Sequence, residues 1–246
     1  MSETSPLVTF LMLTEDSSDE APPVVIALTR AMLRLLDPRA ALARIRFVPQ
    51  DRSARDAIQG AKWKDRDPSR RVPLLRAVAT EISRSNGFVV FHIDGDRRWS
   101  ERETSDNLKK FDSLIRSGVR NVLTAHGRTT AQIDAVLTRL VLFCPFYSVE
   151  SWLYQNTAVA VRLCRQRHGG RDVARFEAWQ RDRSLLDEEL RPKDNVCLAA
   201  KHNVELAETQ YPAGEVREAG KSFAETVNAL AGAHHLIDTL AALRLR

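Results

Sequence analysis

Short, nearly unbroken apolar runs alternate along this chain with stretches of helical periodicity. Pro6 to Leu13 carries Leu-Val-Thr-Phe-Leu-Met-Leu, too short for an independent helix and suited to a central buried strand. Val24 to Leu36 places Val25, Leu28, Met32 and Leu35 or Leu36 on one side, with Pro22-Pro23 in its first turn and Asp37-Pro38 as its stop. Ala43 to Pro49 reads as a second strand and Val72 to Ser83 as a helix with Leu74, Leu75, Val78 and Ile82 inward. Asn86-Gly87 then starts Phe88-Val89-Val90-Phe91-His92-Ile93, a buried strand ending in Asp94-Gly95-Asp96. Helical patterns follow over Asn107 to Ile115 and Ala131 to Leu137, with no clear pattern over Asn121 to Thr130. Leu140 to Phe146 is a further buried strand whose regular pairing ends at Pro145.

This strand–helix alternation predicts an α/β fold: a mostly parallel sheet flanked by helices. From about Ala158 the chain reads as helical, interrupted at Arg191-Pro192-Lys193-Asp194 and at Tyr211-Pro212-Ala213-Gly214. Ser222 to Leu245 reads as one closing helix bent near Gly232. It either completes the core or offers its apolar set to a partner or a second copy. The expected organisation is therefore a sheet domain over 1–155 and a helical C-terminal extension over 156–246.

Composition narrows the class. The chain has 246 residues, 43% of them hydrophobic and 28% charged, as in an ordinary soluble globular protein. A net charge of +5 fits a polyanionic partner without requiring one. Cys144, Cys164 and Cys197 are far apart and match no zinc spacing, so three reduced thiols and a cytoplasmic setting are expected. Glu3 with no basic segment argues against a signal peptide, and the longest apolar runs fall short of the ~20 residues of a membrane span.

The chemistry gathers at predicted strand ends. Glu15 follows the first strand, Asp94 and Asp96 the central one, and Glu150 the last. Parallel strands place these ends on one edge, where open α/β sheets bind ligands. Asp94 and Asp96 are two apart and point the same way in extended backbone, and Gly95 leaves room for a ligand to approach. Two readings stand for this pair: a hard-cation site, or a polar turn after a core strand. Oxygen ligands converging from several strands suit Mg²⁺ or Mn²⁺, ions that promote phosphodiester displacement. Around them, Asp51 to Arg71 is rich in Arg and Lys, including Lys62 and Lys64, with few residues to form a core. It reads as a solvated basic loop with room for a short helix, and either tracks a phosphate backbone while Trp63 stacks on a base or is a solvated connection diluted by its own aspartates. Arg97, Arg98 and Lys201 are candidates for gripping phosphate. His92 reads as a satisfied core group with a supporting role toward the acids as the alternative. His202 reads as part of a solvated helix face with phosphate contact as the alternative, and Trp152 as core with base stacking as the alternative; Trp99 is a further base-stacking candidate.

Thr14-Glu15-Asp16 after the first strand and Asp94-Gly95-Asp96 after the central one resemble the Toprim domain of topoisomerases, bacterial primases and OLD-family nucleases. Val149-Glu150-Ser151-Trp152-Leu153 is similar to the Glu-x-Trp-Leu segment of small stand-alone Toprim-like proteins, many of them beside ATPases in phage-defence operons. The similarity covers about residues 7–155. It implies a Mg²⁺- or Mn²⁺-dependent nuclease on DNA or RNA, with Glu15 as general base or ligand, Asp94 and Asp96 as ligands and Glu150 as a further one. It also implies a partner ATPase, whereas a homodimer would follow from the apolar set of the closing helix. Asp16 departs from the glycine common in the family. The alternative is a non-catalytic nucleic-acid-binding or partner-docking subunit on the same fold.

Overall fold

The computed structural model describes residues 8–16, 21–188 and 195–244. Glu3, Pro6, Leu7, residues 17–20, Glu189, the Arg191–Asp194 break and Leu245 lie outside the described residues. Strand β1 (Val8–Thr14) is followed by helix α1 (Ala21–Leu36), strand β2 (Ile45–Pro49), α2 (Arg52–Ile58), α3 (Val72–Ser83) and strand β3 (Gly87–His92). Then come α4 (Asp106–Lys110), a wider π-type stretch (Phe111–Arg116), α5 (Ser117–Ala125), α6 (Thr130–Leu137) and strand β4 (Leu140–Phe143). The remainder is helical: α7 (Glu150–Leu153), α8 (Thr157–His168), α9 (Val173–Arg181), α10 (Asn203–Glu208), α11 (Ala213–Glu218), α12 (Lys221–Ala231) and α13 (Leu236–Ala242).

The four strands form one parallel sheet in the order β2-β1-β3-β4, the α/β architecture that the alternation predicts. The apolar runs are continuous because both faces are covered. Phe88 and Val90 of β3 face a core that includes Phe10, Met12, Val141 and Phe143, roofed by α1 and by helices from α8 to α13. Val89 and Phe91 face the opposite core, with α2, α3, α5 and α6. The two-residue alternation of a strand thus distributes one apolar run between two cores. Helices beyond residue 156 share the first core with the sheet: Trp152 packs its ring 4.6 Å from Phe143 and 5.1 Å from Phe223.

Several expectations are revised. Asp51–Arg71 is not a coreless loop. Ala54, Ala57 and Ile58 line one face of α2, and Trp63 is fully buried with its ring edge-on to Phe91, so it has no face for a base. The stretch from Asn121 that lacks a clear pattern continues α5 to Ala125, and α6 begins at a capping box between Thr129 and Gln132. The closing helix is two, α12 and α13, separated near Gly232, with His235 left-handed at the start of the second. His202 is buried rather than on a solvated face: its Nδ1 accepts from the Ala199 amide, and its Nε2 lies 2.6 Å from Arg167. Burial, then the neighbouring Arg167 charge, pushes its pKa down. The three cysteines are not three separate thiols: Cys164 and Cys197 form a disulfide, and Cys144 stays a buried thiol whose pKa burial pushes up. No helix among the described residues is long and apolar enough to cross a membrane.

Candidate functional site at the carboxyl edge of the sheet

Register brings the strand ends together. Thr14 pairs with His92 and His92 with Phe143, so β1, β3 and β4 stop at one level. The ladder runs slightly further: Glu15 N donates to His92 O, Ile93 N to Phe143 O and Gly95 N to Pro145 O. Beside β1, β2 ends at Pro49, and the buried Gln50 side chain takes over the pairing. Its Oε1 accepts from Thr14 N at 3.0 Å and its Nε2 donates to Thr14 O at 3.4 Å. The position of Glu15 is therefore fixed from both sides.

Two cavities open on this edge. The outer one, ≈ 350 Å³, is lined by Glu15, Asp16, His92, Asp94, Gly95 and Asn107. The inner one, ≈ 370 Å³, has Asp16, His92 and Asp94 on one side and Glu150, Tyr154, Leu198 and Asn203 among the residues opposite. Asp94 belongs to both. A larger cavity of ≈ 700 Å³ lies elsewhere, between α1 and residues 207–215, and gathers arginines and glutamates of both signs.

Each acid is held differently. Asn107 Nδ2 donates to the Asp94 backbone carbonyl at 2.8 Å, fixing the loop from α4, and His92 Nε2 lies 3.6 Å from Asp94 Oδ1. Glu15 forms a half-buried ion pair with Lys64 at 3.0 Å. Glu150, 5% exposed, accepts from Asn203 Nδ2 at 3.1 Å. Asn203 is itself buried, and its Oδ1 has no partner among the described residues. Asp96 turns to a structural task. Its carboxylate accepts from Ser105 Oγ at 2.5 Å and from Asp106 N at 3.0 Å, while Ser105 caps α4 through Leu108 N. Burial raises its pKa, but these hydrogen bonds and Arg97 outweigh that and hold the carboxyl below its ordinary value.

The structure thus gathers Glu15 and Asp94 at one cavity and Asp94 and Glu150 at the next, while Asp96 braces the loop between them. Of the basic candidates, Lys62, Arg97 and Lys201 are exposed, Arg98 is half-buried and Lys64 engages Glu15. Gly95 itself lines the outer cavity, as expected of a residue that leaves room for a ligand, but its side-chain direction is closed by protein. A Cβ there would lie 2.9 Å from Phe146 Cα, so the missing side chain also admits the chain after β4.

Two residues had no signal in the sequence reading. Asp187, fully buried, accepts from the Phe146 amide at 3.2 Å, Ser151 Oγ at 3.1 Å, Ser222 N at 3.0 Å and the Ser222 hydroxyl. Burial outweighs these bonds and raises its pKa. Asp172 stands against Cys164 and Cys197, and the ligand atoms of the three lie within 4.8 Å of one another, a set that could coordinate a metal ion. Glu15, Asp94, Asp96 and Glu150 do not form so close a set among the described residues. No protein-family model, curated protein or solved structure matches this chain.

Proposed function

We propose that the chain is a Toprim-like, divalent-cation-dependent hydrolase of phosphodiester bonds in DNA or RNA, working at the carboxyl edge of its sheet. The observation that carries this reading is Asp94, placed at the junction of two cavities with Glu15 in one and Glu150 in the other. The donors are carboxylates and a buried amide oxygen, hard ligands that fit Mg²⁺ or Mn²⁺. Glu15 and Asp94 would hold an ion at the outer cavity, with Glu150 and Asn203 as donors at the inner one. Bound there, such an ion supplies Lewis-acid stabilisation of charge developing on phosphate oxygens. The protein's own contribution is positional. Gln50 fixes the end of β1, Asn107 fixes the Asp94 backbone, and Asp96 ties the intervening loop to α4. Arg97 and Arg98 follow Asp96 directly in the chain, Lys62 precedes Lys64 by two and Lys201 precedes Asn203 by two, and these four would supply positive charge for a phosphate backbone.

The Lys64–Glu15 pair favours a second reading, a nucleic-acid-binding or partner-docking subunit without catalysis. The ammonium already balances Glu15, and a cation must compete with it. One experiment separates the two. Mn²⁺ is titrated calorimetrically into wild type and Asp94→Asn, and both are incubated with plasmid, single-stranded DNA and structured RNA. The hydrolase reading expects Mn²⁺ binding that the substitution abolishes and cleavage that falls by roughly a hundredfold or more. Equal cleavage by both proteins, or no Mn²⁺ uptake by wild type, refutes it.

A further inference from the structure

We propose that Cys164, Asp172 and Cys197 form a separate thiophilic metal site that takes Zn²⁺ when the two sulfurs are reduced, and that this site secures one wall of the acidic cavity. Cys164 lies in the last turns of α8, Asp172 immediately precedes α9, and Cys197 lies in the stretch leading to α10. Three segments therefore meet at one point, buried at both sulfurs.

The carboxylate is positioned in advance. Asp172 Oδ2 accepts from Val196 N at 2.9 Å and Cys197 N at 3.2 Å, while the Asp172 amide donates to Cys164 Sγ at 3.3 Å. An amide directed at sulfur and a carboxylate already oriented by backbone are what thiolate–metal sites require of their surroundings. Asn195 Oδ1 turns the same segment by accepting from Cys197 N and Leu198 N. Two thiolates and one carboxylate make a soft donor set that selects Zn²⁺, whereas the all-oxygen cavity selects Mg²⁺ or Mn²⁺. The two sites thus discriminate between metals.

The balance is simple. A dithiol reductant delivers two electrons and two protons to the Cys164–Cys197 disulfide and closes into its own disulfide. The two thiols each release a proton as Zn²⁺ binds, and a water completes the fourth position. Either state ties α8 to the segment whose next residues, Leu198 to Ala200 and Asn203, line the inner cavity opposite Asp94. A reduced, metal-free chain loses that tie.

The test uses the full chain, reduced with a phosphine, and measures Zn²⁺ uptake together with alkylation of each cysteine by mass spectrometry. Co²⁺ serves as a spectroscopic probe through its thiolate charge-transfer band. The expected result is one ion per chain, shielding of Cys164 and Cys197, and the Co²⁺ band displaced by Zn²⁺. Cys164→Ser and Cys197→Ser lose binding, Asp172→Asn weakens it by about tenfold or more, and Cys144→Ala retains it. If reduction unfolds the chain, Zn²⁺ must restore its circular dichroism. Three results overturn the proposal: no uptake by the reduced protein, alkylation of both sulfurs unaffected by Zn²⁺, or equal uptake by the disulfide form. No nucleic acid enters this test, so its failure leaves the proposed hydrolase untouched, and failure of the hydrolase leaves this site untouched.

Discussion

Replacing Gly95 by alanine tests the geometry of the acidic edge more directly than removing any acid. The added methyl would lie 2.9 Å from Phe146 Cα and 3.1 and 3.2 Å from Phe146 Cγ and Cδ1. Ordinary carbon contacts lie at about 3.5–4.0 Å. Relief therefore takes a shift of several tenths of an ångström, and the neighbour is backbone. Gly95 N also donates to Pro145 O at 2.8 Å, so the two loops cannot part without loosening that bond. Overpacking of this kind costs about 1–3 kcal/mol. Against it, a glycine-to-alanine change stabilises by about 0.4–1 kcal/mol through the unfolded chain. The net expectation is a loss of up to about 2.6 kcal/mol in urea unfolding, with an unchanged slope. Mn²⁺ affinity should fall as well, by about tenfold, because Asp94 precedes Gly95 and its site tolerates only about 0.5 Å of displacement. A Gly95→Ala protein that is as stable as wild type and binds Mn²⁺ equally would refute the claim that Phe146 sets the position of these carboxylates.

Asp187→Ala leaves the Phe146 and Ser222 amides without their acceptor, at about 1–3 kcal/mol each. Part of that loss is offset by removing a buried carboxylate, and a net drop in urea midpoint is the result to look for. Trp63→Ala should destabilise by about 3–5 kcal/mol, while Trp63→Phe keeps nucleic-acid affinity; a selective loss of binding in the Phe variant would restore the base-stacking reading. The Asp96 carboxyl is held below its ordinary value of 3.8, so its stabilising contribution is present above that pH and is lost as pH falls through the lower folded value. Acid unfolding curves of wild type and Asp96→Asn should accordingly converge below about pH 4, and curves that stay parallel there would contradict the assignment.

The sheet was legible because its strands are short apolar runs with helical patterns between them. The placement of Glu15, Asp94 and Glu150 at cavities on the carboxyl edge was legible because each follows such a run, and parallel strands end at one edge. What the sequence hid were relations across distance. Charged neighbours disguised Trp63, although Ala54, Ala57 and Ile58 already showed helical spacing. Gly95 does line a cavity, but nothing local signals that Phe146 will close its side-chain direction. Asp96 looked equivalent to Asp94 by parity, yet β3 ends at His92 and the two-residue rule lapses beyond it. Cys164 and Cys197 lie 33 residues apart, a separation that no local spacing rule covers.

The short helix α7 has a consequence for how the chain is made. Trp152 leans on Phe143 of the edge strand, and its indole donates to Ser222 Oγ at 2.8 Å across 70 residues of sequence. At ribosomal rates of about 5–20 residues per second, roughly 4–14 s separate the emergence of these two partners. During that interval β4 presents an apolar face without its final cover. A nascent chain in this state is a natural client for a chaperone, and slowing synthesis after residue 153 should raise the yield of aggregated product rather than of native protein.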